Sequence, residues 1–379
     1  MGRGMAPAAS GGAELLVERL GRVGLASKVG ARASNSSHVG ADLLPWDIRS
    51  ADKLPWEGLQ EDLDALLRVQ ARDNAVSILV FNEGFYHVTL NCLVSAVKVA
   101  KLDNLVIVAA GARSAARCRQ LRLPCLDAAR LTREYGGAAA EGDAARGSAE
   151  WFQLVWVKTL AAHAAIARGY DVAFVDADTV FLKEAMPVYR DFLSRNNADG
   201  TFMYEEANQT RDDGAPYLNR YLNSGNFFLR SNARTRRLMD AWLLGYRFQS
   251  QTNGNQLWLN KLEGLAYKLC LSPAACARRA AEGWAAIHPH PNQFDGAGQM
   301  CTPDSLAHFR GGLCTDRRLY VHAVCRAGQH LKRRAFERLG LWLVAVNPDD
   351  DLDVRAALPP ALPCGGGTWR QDYSRPSFA

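Results

Sequence analysis

The sequence predicts an α/β protein with a mostly parallel central sheet flanked by helices. Three observations predict it. Apolar runs of strand length stand at residues 76–81, 105–109 and 172–175, with Ser77 their one polar residue, as in strands covered on both faces. A helical segment at 90–99 separates the first two runs, giving the spacing of a βαβ unit and therefore parallel pairing. The third run ends at Asp176 and Asp178, at the kind of strand edge where open α/β sheets place ligands.

Taken in order, residues 1–60 are rich in Gly, Ala and Ser and carry the pairs Pro45-Trp46 and Pro55-Trp56, so they read as a leader or stem. Its apolar stretch at 15–20 is broken by Glu18 and Arg19, far short of the ~20 residues of a membrane helix; no membrane anchor or signal is visible. An amphipathic helix at 61–69 leads into the first strand, which stops at Asn82, Glu83 and Gly84. Residues 112–147 read as loops and surface helices. A long helix follows at 151–168, and Gly169 supplies its left-handed cap. Beyond the aspartates the pattern predicts helices at 185–193 and 233–246, strands at 201–204, 226–229 and 319–324, and a basic helix at 332–339. One domain at 61–345 is expected, with 346–379 as a peripheral tail that is acidic and then rich in Pro and Gly.

Composition narrows the function classes. The 45 basic and 39 acidic residues are spread along the 379-residue chain, which leaves no concentrated basic face for nucleic acid but is compatible with a mildly electropositive pocket for phosphates. Six of the nine cysteines, Cys270, Cys276, Cys301, Cys314, Cys325 and Cys364, fall in the last third without a C-x-x-C pair, so structural zinc is not expected. Sequons at Asn35 and Asn208 fit the Golgi or another secretory lumen, where cysteines can pair.

The chemistry concentrates at the aspartates. Side chains two apart on a strand share a face, so Asp176 and Asp178 should converge beyond its carboxyl end. Two hard oxygen ligands suit Mn²⁺ or Mg²⁺ that also grips a diphosphate.

Around that pair, Trp156-Val157-Lys158, then Arg168 to Val172, then Phe174 to Leu182 with Pro187, resemble the nucleotide-diphospho-sugar transferases of glycosyltransferase family 77. Asn223-Ser224-Gly225 resembles that family's Asn-x-Gly element, and His322, Gly328 and Lys332 resemble its carboxyl-terminal His, Gly and Lys. The resemblance spans residues 76 to 340 and implies a GT-A type, Rossmann-like fold and sugar transfer from a UDP-sugar to a glycan or glycoprotein with retention. It also implies metal ligation by Asp178 and His322, with Asp176 on metal or ribose. Lys158 and Lys332 would neutralise donor phosphates, and Asn82, Asn223, Ser224, Gly225 and Gly328 would surround the donor. Pentose donors such as UDP-arabinose or UDP-xylose, and cell-wall or glycoprotein acceptors, fit the family.

Two departures bear on catalysis. The family usually has Asp-Gln where this chain has Asn255-Gln256, and often Asn where it has Val324. An Asn cannot offer the negative charge that stabilises an oxocarbenium-like centre, so Gln256 becomes the positional candidate at the reacting face, with Asn255 beside it. His288-Pro289-His290 reads as a loop, and Trp258 as an acceptor contact. Asp176-Ala177-Asp178-Thr179-Val180 with Asp349, Asp350 and Asp351 also allows a phosphatase of the haloacid dehalogenase type. Against it, the βαβ unit precedes the aspartates and the His322 to Lys332 element would have no role. Asn255 and Val324 leave room for a catalytically weak carbohydrate-binding protein of the same fold.

Overall fold

The computed structural model describes residues 62–136, 147–210, 216–249, 254–289, 318–324, 328–347 and 350–356. The expected leader, Asn35, Trp46, Trp56, His290, Cys301, Cys314, Cys325, Cys364, Asp349 and the end of the expected tail lie outside them.

Helix α1 (Leu63–Gln70) begins where the Asp62 carboxylate accepts the N–H groups of Asp64 and Ala65, the usual solution for the unbonded donors of a first turn. Strand β1 (Ala75–Asn82) follows, then helix α2 (Tyr86–Val94), which widens into a π turn at Ser95–Val99, and strand β2 (Leu105–Ala110). β1 and β2 pair in parallel, with Ser77 opposite Leu105 and Asn82 opposite Ala110. Helix α3 (Ala112–Gln120), strand β3 (Cys125–Asp127) and helix α4 (Ala128–Glu134) complete this side. β3 extends the parallel sheet beyond β2; its three residues are too few for a periodic signal, and they lie where only loops and helices were expected.

Helix α5 (Ala149–Ala167) ends at Gly169, whose φ of 94° is open to glycine at no steric cost. Strand β4 (Asp171–Val175) then joins β1 on its other side, again in parallel. Next come β5 (Thr179–Phe181), α6 (Met186–Asn196), β6 (Gly200–Thr210), β7 (Pro216–Leu229) and α7 (Ala233–Gln249). They are followed by α8 (Asn255–Lys261), β8 (Tyr267–Leu269), α9 (Pro273–Ala281) and β9 (Ala285–Pro289). The eight-stranded sheet runs β3-β2-β1-β4-β7-β6-β9-β8, antiparallel only where β7 meets β4 and β6. It is thus mostly parallel, as the apolar runs predicted.

Those runs are almost wholly apolar because both faces are covered. Leu79, Ile107, Val175 and Phe228 pack on one face, with α2 and α6 above them. Ile78, Val106, Phe174 and Phe227 pack on the other, under α5 and α7. A fully buried side chain of this kind stabilises the fold by about 1.5–3 kcal/mol.

Strand β10 (Tyr320–His322) pairs with β5 outside the main sheet, and helix α10 (Gln329–Leu339) follows it. Strands β11 (Val344–Asn347) and β12 (Asp350–Ala356) form an antiparallel pair that crosses residue 345, and Val354 is buried in the same core as α10. Disulfides join Cys118 to Cys125 and Cys270 to Cys276, and Cys92 is a buried free thiol. His288 lies within β9 and is buried, with its ring edge against Phe192. The reading of His288-Pro289-His290 as a loop is therefore corrected for His288: an apolar neighbourhood, with β6 pairing alongside, overrides the turn tendency of the adjacent proline.

Candidate active site

β4 stops at Val175, so Asp176 and Asp178 do not meet through strand alternation. A turn and a second strand pair bring them together. The Asp176 N–H donates to the Gly225 carbonyl at 2.7 Å, which anchors the start of the turn to β7. Asp178 sits one residue before β5, and β5 places Thr179 opposite His322 on β10. The Ala323 N–H then donates to the Asp178 carbonyl at 3.0 Å. Backbone pairing thereby fixes Asp178 and His322 side by side, although 144 residues separate them.

The opposite wall is a bulge in β7. Phe202 of β6 pairs with Phe227, but its neighbour Met203 pairs with Asn223, so Ser224, Gly225 and Asn226 are extra residues. The Asn223 carboxamide oxygen accepts the Gly225 N–H at 2.6 Å, and the Asn226 amide donates to Thr179 Oγ1 at 3.0 Å. A Cβ on Gly225 would lie 2.4 Å from His322 Cε1 and 2.5 Å from Asp176 Oδ2. The position is glycine because imidazole and carboxylate press against its backbone.

Within these walls the charged groups interlock. Lys158 Nζ from α5 donates to Asp176 Oδ1 at 2.8 Å, and Lys332 Nζ from the first turn of α10 donates to Asp178 Oδ2 and, at 2.7 Å, to the Ala323 carbonyl. His322 Nε2 lies 3.0 Å from Asp178 Oδ1 and 3.7 Å from Asp176 Oδ2. Each carboxylate therefore gives one oxygen to a lysine and turns the other toward the imidazole. Asp178 and His322 are 9% and 3% exposed, whereas the Asp176 side chain keeps 29%, which makes Asp176 the member nearer solvent. Burial opposes the charged form of Asp178, but the His322 and Lys332 charges and their hydrogen bonds outweigh it and hold the carboxyl well below the usual carboxylate range. One ligand atom from each of Asp176, Asp178 and His322 falls within 4.8 Å of the others. Two carboxylate oxygens and an imidazole nitrogen converging in this way suit a hard divalent ion, and the close approach at Gly225 keeps the imidazole against Asp176.

The sequence profile of the nucleotide-diphospho-sugar transferases matches residues 100–336, from just before β2 into α10, and so contains every one of these charged groups. The chain belongs to the nucleotide-diphospho-sugar transferase family. Its large, mostly parallel central sheet flanked by helices is the α/β arrangement that the sequence predicted. An uncharacterised Arabidopsis thaliana protein is 28% identical over 141 residues, 37% of this chain and 38% of that protein, so the chain spans well under two thirds of that relative. Among solved structures, mouse xyloside xylosyltransferase 1 in its apo form is 16% identical over 50% of this chain and 80% of its own, with a TM-score of 0.33. The apo WbbM bifunctional glycosyltransferase is 13% identical over 71% of this chain and 50% of its own, with a TM-score of 0.40.

The remaining expected positions of the transferase fall into two groups. Ser224 joins the cluster: its carbonyl lies 3.4 Å from Lys158 Nζ, its N–H donates to Gln256 Oε1 at 3.1 Å, and its hydroxyl donates to Asn255 Oδ1 at 3.2 Å. Asn255, 3% exposed, donates its amide to Thr159 Oγ1 at 3.2 Å. Both faces of that amide are thus held by neighbours, which makes Asn255 a clamp on the bulge. Gln256 is only partly buried, on the exposed side of the same contact. Asn82 ends β1, the neighbour of β4, and its side chain accepts the Gly84 N–H at 2.9 Å. Gly328 begins α10 with φ 81° and no side-chain cap, so the first-turn N–H groups of α10 lack that partner.

Trp258 is not a free platform; its indole N–H donates to the Ala241 carbonyl at 3.0 Å and a Cβ on Gly245 would strike its ring, so it packs α8 on α7. Thr159, Thr179, Asn226 and Ala323 take part in the site without having been singled out. Thr179 stands next to Asp178 and Asn226 next to Gly225 in the quoted motifs; Thr159 and Ala323 act through contacts that no local pattern marks. The phosphatase reading is set aside by the family match and by the place of β1 and β2 ahead of the aspartates.

Proposed function

We propose that the chain is a divalent-metal-dependent glycosyltransferase, with Mn²⁺ or Mg²⁺ held by Asp176, Asp178 and His322, and that it moves a sugar from a UDP-sugar to a glycan or glycoprotein acceptor. The convergence of these three side chains beneath two buried lysines is the observation that supports it most. When bound, the metal would supply Lewis-acid stabilisation of the departing nucleotide diphosphate. Lys158 and Lys332 would add fixed positive charge at the same place, where exclusion of water strengthens it. The uncapped first turn of α10 offers further N–H donors to an anion.

Retention by a front-face route fits the residues around the bulge. Asn255 is neutral and hydrogen-bonded to Ser224 and Thr159, so it is unsuited to forming a covalent glycosyl intermediate, and Gln256 would orient groups at the reacting face. In this route the departing phosphate oxygen takes the acceptor proton, so the protein's part is to position and to exclude water. A pentose donor such as UDP-xylose or UDP-arabinose, and a cell-wall or glycoprotein acceptor, are the finer reading that family likeness favours. Two disulfides support an oxidising lumen such as the Golgi. No helix among the described residues is long and apolar enough to cross a membrane.

The test is UDP-sugar hydrolysis and transfer by purified protein with Mn²⁺, with chelator, and beside a phosphate monoester. Turnover should need the metal and spare the monoester. Asp178→Ala should reduce metal-dependent turnover by about 10³-fold or more, as loss of a principal transition-state stabiliser does, while near-ultraviolet circular dichroism stays native. Metal-dependent turnover that survives this substitution would remove the assignment.

A further inference from the structure

We propose that Cys92 and Ser95 are positioning residues for the Asp176–Asp178 turn, their side chains standing in for a strand along the second edge of β5. This rests on the sugar-nucleotide reading of the site and adds to it a pair on α2 and its π turn, outside the charged cluster.

Among the described residues, β5 pairs with β10 along one edge and with no strand along the other. On the paired edge the Ala323 N–H donates to the Asp178 carbonyl and the Leu182 N–H to the Leu319 carbonyl. By the alternation of an antiparallel ladder, the N–H groups of Thr179 and Phe181 then point to the other edge. There they meet side chains. The Thr179 N–H donates to Cys92 Sγ, and the Phe181 N–H donates to Ser95 Oγ at 3.0 Å. Cys92 and Ser95 stand three residues apart, the spacing that puts neighbours on one helix face. Cys92, Ser95, Thr179 and Phe181 are all 0% exposed, so water cannot replace either contact. Ser95 gives its own proton to the Cys92 carbonyl at 2.8 Å, which leaves its oxygen lone pairs for Phe181.

The thiol also donates. Cys92 Sγ lies 3.8 Å from the Asp176 carbonyl, within hydrogen-bonding reach for sulfur, and so bridges the first and last residues of the segment 176–179 that carries both aspartates. The Asp176 N–H is fixed on Gly225. A buried thiol more often serves as a small apolar filler. A filler needs no polarity and a bridge does, so the two roles rank substitutions in opposite orders.

The experiment measures kcat and KM for UDP-sugar hydrolysis at saturating Mn²⁺ by the full chain and by its Cys92→Ala, Cys92→Ser and Ser95→Ala variants, with near-ultraviolet circular dichroism to check folding. Each alanine variant should lower kcat about tenfold, less than the loss of about 10²-fold that an ångström of misplacement brings, and move KM by less than about threefold. Cys92→Ser restores a donor and an acceptor and should stay within about threefold of wild-type kcat. The filler role predicts the reverse, because a buried hydroxyl without partners costs more than a methyl group. Wild-type kcat in Cys92→Ala, a loss confined to KM, or Cys92→Ser no faster than Cys92→Ala overturns the proposal and leaves the transferase reading in place. Should Cys92→Ala not fold, the other two decide: Ser95→Ala must lose turnover and Cys92→Ser must keep it. A wild-type chain that turns over no UDP-sugar removes the sugar-nucleotide reading, and the proposal with it.

Discussion

One of the tightest packing constraints in the site falls on a residue with no side chain. A methyl group at Gly225 meets His322 Cε1 at 2.4 Å and Asp176 Oδ2 at 2.5 Å, so either a ligand or the bulge must move. Gly225→Ala is expected to reduce metal-dependent turnover by about 10²-fold, the effect of roughly an ångström of misplacement. Gly254→Ala, at the start of α8 with open space around it, should leave donor hydrolysis unchanged and makes the control. Asp178 gives a second prediction, in acid. Its folded carboxyl titrates well below the ordinary 3.8, so its contribution to stability is complete above that value and is lost as pH falls through the folded one. In chelator, urea melts from pH 6 down to pH 2 should show a steeper loss for wild type than for Asp178→Asn; parallel curves would refute the pairing. Asp176 and Asp178 stood out in the sequence as a pair two apart at a strand end, whereas Lys158 and His322 stood out only through the family resemblance that their motifs carry. The clamp by Asn255 could not be foreseen, since its partner Thr159 lies 96 residues away and hydrogen bonds between side chains leave no periodic trace.

Elements were legible in proportion to their length and apolarity. β1, β2 and β4 announced themselves because burial on both faces favours near-continuous apolar residues. β3 has three residues and a disulfide instead of a pattern. That disulfide ties α3 to β3 across a sequence separation of 7 residues, and the chain-entropy relation assigns such a loop about 2.5 kcal/mol. Replacing Cys118 and Cys125 by Ser should lower stability in urea by roughly that amount, with Mn²⁺ binding retained, because β2 and β1 stand between β3 and β4. Unchanged stability would mean that α3 holds β3 by packing alone. The bulge in β7 was visible only as Asn-Ser-Gly; its depth depends on which residues of β6 it skips, and register is a property of two strands at once.

At the scale of the molecule, the site exists only when distant segments have closed on one another. β4 and β7 supply one wall, α5 one lysine, and β10 with α10 the histidine and the other lysine. Sequence marked each segment but not the order β1-β4-β7-β6, because strand direction and neighbours are set by cross-strand pairs such as Phe174 with Phe227, which no single segment displays. The same dependence extends past the expected end of the domain at 345. β12 pairs with β11, and Val354 is buried in the core that also holds Phe336 and Leu341, so the chain after 345 contributes to the support of α10 and hence of Lys332. A chain ending at residue 345 loses that buried valine and its strand partner, at about 1.5–3 kcal/mol for the side chain alone. A chain ending at 356 keeps both. Urea denaturation should therefore separate the two by at least about 1.5 kcal/mol, with Mn²⁺ binding in the presence of UDP weakened in the shorter chain. Equal stability and equal Mn²⁺ binding would instead make everything beyond 345 peripheral.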